Sequence, residues 1–495
     1  MTKRSVLSLI VGLGILGVTP ACADDLTSLD QEIRSLEAQN ATLARRIDRF
    51  EAIGGAPSLF VAEAASAPTA LLVGDGPLTW RGITLFGVLD AGIAWQSHGA
   101  PMNAFYPQGL EYGVSKNSNR AGFALGPGGL GYSGIGLKGS EEILPGVAAI
   151  FAANTNFNPL TGQLSNGPAS LVQNNGVPLA SQSANGDSRS AGQAFNDYAY
   201  LGLSSPVYGE LTFGRQRTLT TDDRAAYDPL AGSLAFSLLG YSSSLSSGDS
   251  ENSRFDEALK YRVNLGPAHI GAIYKFAKPD AGASESNGAT YQLSAGFEVS
   301  NLSFNAVYSH VSGAVSLSSL SASQLAIYPA GSLAASISDN QAVLLSAKYS
   351  YDRFKFFVGY EYYVFSDPSD PILAPFVNYN GYAVSVATNN AYQYHDKVQQ
   401  LVWAGLRYAF DSRLDLSAGY YHLWQNSYGK VVCNTRSAST CSGTEDAVGV
   451  IAQYHFTKRF QLYGGLMVST VTGGMASGFL YPNSVDPMIG LRYSF

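Results

Sequence analysis

At 495 residues the chain could hold three soluble domains, yet 53 Gly, 30 Tyr and only 14% charged residues do not compose three ordinary globular cores. The net charge of −7 is modest and no cluster of Lys and Arg occurs, so a nucleic-acid partner is set aside. No run of about 20 apolar residues follows the N-terminus, which excludes a helical membrane protein, while a mean hydropathy near zero suits strands that are apolar on one face only.

Lys3 and Arg4, the apolar run from Val6 to Val18, and Ala21-Cys22-Ala23 supply the n-region, h-region and small-residue cleavage site of a signal peptide over 1–23, so the mature chain is expected to begin at Asp24. A lipoprotein signal using Cys22 is the rival, and Thr19-Pro20-Ala21 matches it poorly. Over 24–52, Leu26, Ile33, Asn40 and Ile47 fall seven apart, as do Leu29, Leu36, Leu43 and Phe50. This narrow a/d seam, flanked by charges, predicts a periplasmic coiled coil rather than a surface helix. Residues 53–77 are rich in Ala, Pro and Ser, with Pro57, Pro68 and Pro77 breaking any helix, and read as a semi-extended linker.

From residue 78 to 495 the pattern changes to period two. Alternation and turn residues predict sixteen strands near 83–95, 131–139, 147–156, 195–204, 210–217, 254–263, 268–276, 289–299, 303–311, 341–350, 354–365, 397–410, 414–426, 445–456, 460–469 and 486–495. Short connections, such as 264–267 and 300–302, alternate with long Gly/Ser/Asn-rich ones at 157–194, 218–253, 312–340 and 366–396. The expected fold is all-β: a 16-stranded antiparallel transmembrane β-barrel with short periplasmic turns and long extracellular loops, preceded by the short coiled coil. A secreted sandwich or propeller would leave unexplained why the short turns are flanked by Tyr and Phe, which suit an interfacial girdle.

The ending Gly490-Leu-Arg-Tyr-Ser-Phe495 nearly repeats Gly405-Leu-Arg-Tyr-Ala-Phe410. Ile489, Leu491, Tyr493 and Phe495 share one face and Gly490, Arg492 and Ser494 the other, as a strand between lipid and water requires. Cys433 and Cys441, eight apart in a polar segment of an exported chain, are expected to form a local disulfide.

Tyr132-Ser-Gly-Ile-Gly-Leu-Lys-Gly-Ser-Glu141, Asp197-Tyr-Ala-Tyr-Leu-Gly-Leu-Ser204, Gly209-Glu-Leu-Thr-Phe-Gly-Arg-Gln216 and Tyr227-Asp228 resemble strand segments of the Gram-negative general porins. The resemblance covers about 80–495, specifically in those blocks and topologically elsewhere. It implies a homotrimeric diffusion channel in the Gram-negative outer membrane, surrounded by its lipids, whose third loop, about 218–253, folds inward. The terminal strand resembles the closing strand of outer-membrane barrels, which implies that Phe495 is the signal read by the barrel assembly machinery.

Passage through a pore is governed by width and field, so the candidate site is the constriction. By resemblance, Arg215 and Arg254 face the acids of the third loop, namely Asp222, Asp223, Asp228, Asp249 and Glu251. Simple alternation puts Arg215 on the face of Leu211 and Phe213, so its role requires a bulge near Gly214 or an early end to the strand. Gly134 stands where the family usually carries an arginine. Parity places Lys138, Lys260, Arg262, Lys275, Lys348, Arg407 and Arg492 opposite the apolar face, as pore-lining bases; snorkelling or strand-to-strand pairing would account for them equally.

The six His residues are scattered singly, with no catalytic, nucleotide, phosphate or metal motif, so neither an enzyme nor a cofactor or metal is expected. Two alternatives to general diffusion stay open. One is a substrate-specific channel; the other is a structural protein that ties the membrane to peptidoglycan or cell wall through the coiled coil.

Overall fold

The computed structural model describes residues 77–105, 114–187, 190–240, 253–276, 290–379, 381–433 and 438–495. The expected signal peptide and coiled coil, nearly all of the linker, and Asp249 and Glu251 lie outside the described residues.

Among the described residues, sixteen strands form the wall: β2 (Ile83–Gly99), β4 (Ser133–Leu144), β5 (Val147–Phe157), β6 (Tyr198–Ser205), β7 (Gly209–Arg217), β8 (Arg254–Leu265), β9 (Ala268–Lys275), β10 (Thr290–Val299), β11 (Leu302–Ser318), β12 (Leu333–Tyr351), β13 (Phe354–Ser366), β16 (Lys397–Ala409), β17 (Leu414–Gln425), β18 (Gly443–His455), β19 (Phe460–Val471) and β20 (Asn483–Ser494). Each corresponds to an expected strand, and neighbours pair antiparallel. The ring closes where β2 pairs with β20 from Val88↔Ser494 to Ala94↔Met488. Four further strands, β1 (Leu78–Trp80), β3 (Arg120–Gly126), β14 (Phe376–Tyr379) and β15 (Tyr382–Thr388), were not legible in the sequence.

Period two sets the two faces. On β12, Val343 and Leu345 are exposed outside while Leu344 and Ser346 are buried inside. Aromatics ring the rim of short turns, with Phe354 stacked on Tyr408 at 4.6 Å, Tyr454 edge-on to Phe456 at 5.0 Å, and Phe460 beside Tyr493. Girdles of aromatic residues mark the interfacial edges of a transmembrane β-barrel, and the Tyr rings among them add a polar tip to an apolar body. Phe495 continues this rim: its N–H donates to the Gly87 carbonyl and its carbonyl accepts from the Gly87 N–H, both at 3.0 Å.

The second wall position is interrupted. β2 pairs with β4 below, from Ile83↔Gly139 to Val88↔Gly134, and with β3 above, from Gly92↔Gly126 outward. The linking segment 127–132 leaves the wall and is gathered around Asp90. The amides of Gly129, Leu130 and Gly131 donate to the Asp90 carboxylate at 3.1 to 3.2 Å, joined by the Tyr463 hydroxyl at 2.6 Å.

At the long-loop rim, β11 and β12 rise past a register shift between Val311 and Ala314. There β12 acquires a parallel partner, β15, from Leu333↔Val384 to Ser336↔Thr388. A second apolar cluster forms at this level from Leu171, Val315, Leu317, Leu333, Ala335, Ile337, Ile372 and Val384. Leu171 belongs to α1 (Gly167–Gln173), in the loop between β5 and β6.

Candidate pore constriction

A water-filled barrel should carry polar residues at inward positions. Several inward positions here are instead apolar and buried: Leu344, Leu401, Trp403, Tyr421, Tyr463 and Met467. What buries them is the third loop, through Leu219, Leu230, Ala235, Phe236, Leu238 and Leu239, all in one cluster with the wall.

The loop opens with α2 (Leu219–Tyr227), capped by Thr218, whose hydroxyl accepts from the Thr221 N–H. Two more N–H groups of the first turn, on Leu219 and Thr220, donate to Gln292 Oε1 of β10 at 2.7 and 3.2 Å. Leu219, Thr220, Asp223, Arg224 and Tyr227 are the buried residues of α2. Their spacing defines one helix face, and it is turned to the wall. Asp223 accepts from Asn305 and Ser346, both at 2.6 Å. Arg224 Nη2 donates to both carboxylate oxygens of Glu361 at 2.7 and 2.9 Å, and Tyr227 meets Ser303 at 2.6 Å. Lys348 lies over the Tyr227 ring at 4.6 Å.

Beyond α2 the chain turns at Asp228, whose carboxylate accepts from Tyr421 Oη at 2.5 Å and from the Gly232 N–H at 2.6 Å. Backbone carbonyls here are held from the wall. Arg407 donates to those of Asp228 and Pro229, and Trp403 Nε1 donates to that of Tyr227 at 3.1 Å. The tip then lies on glycines. Gly405 faces Gly419 and Gly419 faces Gly449 in direct cross-strand register. A Cβ on Gly405 or Gly419 would meet Pro229 within 3 Å, and one on Gly449 would fall on the Phe236 carbonyl and on Leu230. Gly465 makes room for the Phe236 ring, which meets Tyr463 edge-on at 6.3 Å. The Ala235 N–H donates to the Gly129 carbonyl at 2.9 Å, so the tip reaches the segment folded inward around Asp90.

The structure distributes the expected charges differently from the simple facing pattern. Among the acids of the third loop, Asp222 meets Lys260 Nζ at 2.6 Å and Arg262 at 3.4 Å. Burial opposes its charge, but those two cations outweigh it and hold the carboxyl below the usual range. Asp223 is different: burial pushes it up to about 7 against the hydrogen bonds from Ser346 and Asn305. Asp228 is likewise raised by burial.

Arg254 meets Asp197, at the end of the second loop, at 2.6 Å, and Arg217 meets the same carboxylate at 2.6 Å. Arg215 is tucked against the Asn196 carbonyl and Asp256. The β7–β8 register does shift between Gly214 and Gln216, with Gly214 at φ +129° and Glu257 of β8 at φ +52°. Of the expected pore-lining bases, Arg492 lies 3.4 Å from Asp90, Lys138 is 5.9 Å from the Phe86 ring, and Lys275 is half-buried at the end of β9. Lys260, Arg262, Lys348 and Arg407 face the third loop. Gly134 stands opposite Val88 and Asn156, where a Cβ would sit 2.9 Å from Asn156 Oδ1. Cys433 and Cys441 are joined in a disulfide in the loop between β17 and β18.

Comparison with known proteins matches this architecture. The family model for the Gram-negative porin matches residues 56–474. An outer membrane porin protein of Bordetella pertussis is 23% identical over 206 residues, which are 41% of this chain and 45% of that protein, so the chain matches less than half the length of this curated relative. Among solved structures, the anion-selective porin from Comamonas acidovorans superposes with a TM-score of 0.55 at 15% identity, covering 83% of this chain and 99% of that one. OmpT of Vibrio cholerae superposes with a TM-score of 0.51 at 13% identity, covering 85% and 100%. A closed sixteen-stranded wall, an aromatic rim and a family match across most of the sequence converge: the chain belongs to the Gram-negative porin family.

Proposed function

We propose that this channel lets small hydrophilic solutes and ions diffuse passively, and that the third loop sets its narrowest section. The observation that carries this reading is the course of that loop. From Asp222 on Lys260 of β8 to Phe236 on Gly465 of β19, it is fastened to the inner wall by hydrogen bonds, ion pairs and apolar packing. A segment held in this way narrows the lumen permanently rather than plugging it transiently. The paired charges around it, Asp222 with Lys260 and Arg262, and Asp197 with Arg217 and Arg254, place fixed fields beside the path. The working unit is proposed to be a homotrimer, as the family resemblance implies.

Liposome swelling tests the reading. Purified protein should admit sugars at rates that fall smoothly with solute size, without saturation by any one of them. A single solute admitted far out of proportion to its size would favour a substrate-specific channel instead.

A further inference from the structure

The second loop does not stay on its own side of the barrel. It joins β5 to β6, the third and fourth wall strands, whereas the loop carrying β14 and β15 joins β13 to β16, the eleventh and twelfth. Eight wall positions out of sixteen separate them, so the two loops arise from opposite sides of the ring. They nevertheless touch: Tyr382 Oη donates to Asn166 Oδ1 at 2.9 Å. A contact between diametrically opposed loops must pass over the mouth.

The crossing is built rather than incidental, because the second loop is also bonded to the end of β11 and to the loop that joins it to β12, the ninth and tenth wall strands. Asn175 donates through Nδ2 to the carbonyls of Ala330 and Ser332 at 2.9 and 2.7 Å, and its Oδ1 accepts from the Leu320 N–H at 2.7 Å. Gly176 N–H donates to the Leu320 carbonyl at 2.8 Å. Ser319 Oγ donates to the Leu171 carbonyl at 2.7 Å, and Asp187 Oδ2 accepts from the Leu317 N–H at 2.8 Å. Beneath these bonds Leu171 is buried with Leu317, Leu333 and Ile337 in the cluster separate from that of the third loop. Backbone amides and carbonyls satisfied at both ends, over an apolar core, are the signs of a fixed element.

We propose that residues 166–187 form a strap across the mouth that acts as an outer size filter, in series with the third loop. This rests on the diffusion-channel reading and adds a second selecting element to it. A fixed obstacle at the mouth should exclude bulky solutes while hardly slowing small ones, because small solutes are limited by the narrower section below.

Two measurements on the full chain in liposomes test it. In the first, Asn166→Cys and Tyr382→Cys are introduced together and a short bis-maleimide is added to the folded channel. Cross-linking within one chain is expected, and its failure while each single cysteine reacts with a monofunctional maleimide would overturn the crossing. In the second, swelling rates for a ladder of uncharged sugars are compared between the parent chain and a variant with 167–187 replaced by a short Gly/Ser linker, with Leu171→Asp plus Asn175→Ala as the milder alternative should the first fail to fold. The rate for the largest sugars that enter should rise severalfold while that for the smallest changes by less than twofold. A size profile of unchanged shape in a folded variant overturns the filter. Absence of swelling by the parent chain would instead strike the channel reading, so the two failures are distinguishable.

Discussion

The ion pair between Arg224 and Glu361 offers a severe test of how the third loop is held. The two side chains are 4% and 1% exposed, and one guanidinium nitrogen donates to both carboxylate oxygens at 2.7 and 2.9 Å. Removing either partner strands a charge in a site closed to water, which destabilises the docked loop by about 3–5 kcal/mol. At about 1.4 kcal/mol per tenfold, that is a shift of two to nearly four orders of magnitude toward the undocked loop. Replacing both partners with apolar residues removes the stranded charge, so Arg224→Met with Glu361→Leu should lie within about 1 kcal/mol of the parent or exceed it. The assay is single-channel recording with limited proteolysis of the folded barrel. Arg224→Met and Glu361→Gln should each give noisy currents with substates and faster cleavage in the loop, while the double variant should be quiet and resistant. Quiet, resistant single variants, or a double variant as disturbed as either single one, would refute the reasoning.

Gly449→Val should displace the loop tip, since its Cβ would fall on the Phe236 carbonyl and Leu230, with an overpacking penalty of about 1–3 kcal/mol and raised current noise; Gly122→Val, with nothing within 4 Å, is the matched control that should behave as the parent. Asp222→Asn leaves Lys260 and Arg262 without their shared acid, so the reversal potential in a salt gradient should move toward anions. Asp223 is raised to about 7 from an ordinary 3.8, so the unfolded chain ionises first and stability should fall as pH rises from about 4 to about 7, then level off. Asp223→Asn should flatten that slope, which is at most about 1.4 kcal/mol per pH unit, in denaturant titrations across the window. A homotrimer should appear as slow migration of unboiled protein and as conductance insertions in threes; monomeric migration of folded protein would count against it.

Much of the wall was legible because period two and short aromatic-flanked turns are local signals. Each expected strand has its counterpart, down to the outward Ile489, Leu491 and Tyr493 of β20. The interruption between β3 and β4 was not legible, because Gly126 to Gly131 reads as an ordinary Gly-rich turn until Asp90 is seen to gather its amides. Parity turns Arg407 away from the apolar face, but parity cannot tell an inward residue facing water from one facing a docked loop. Here Arg407 donates to two carbonyls of the third loop. A signal for that docking was present in the sequence as apolar Leu401, Trp403 and Tyr421 at inward positions and as the glycines at 405, 419 and 449. Recognising it requires the cross-strand register, which is a property of the pairing rather than of any one segment. The strap depends on contacts between loops far apart in sequence, such as Asn166 with Tyr382, and no periodicity announces these.

The central claim, a permanently open aqueous path beside a fixed third loop, is tested most directly by planar-bilayer conductance across a wide range of electrolyte concentrations. The account predicts discrete, ohmic steps whose size grows in proportion to the bulk conductivity of the solution. Folded, membrane-inserted protein that passes no current, or steps that saturate at low salt as a tight binding site would make them, would contradict it.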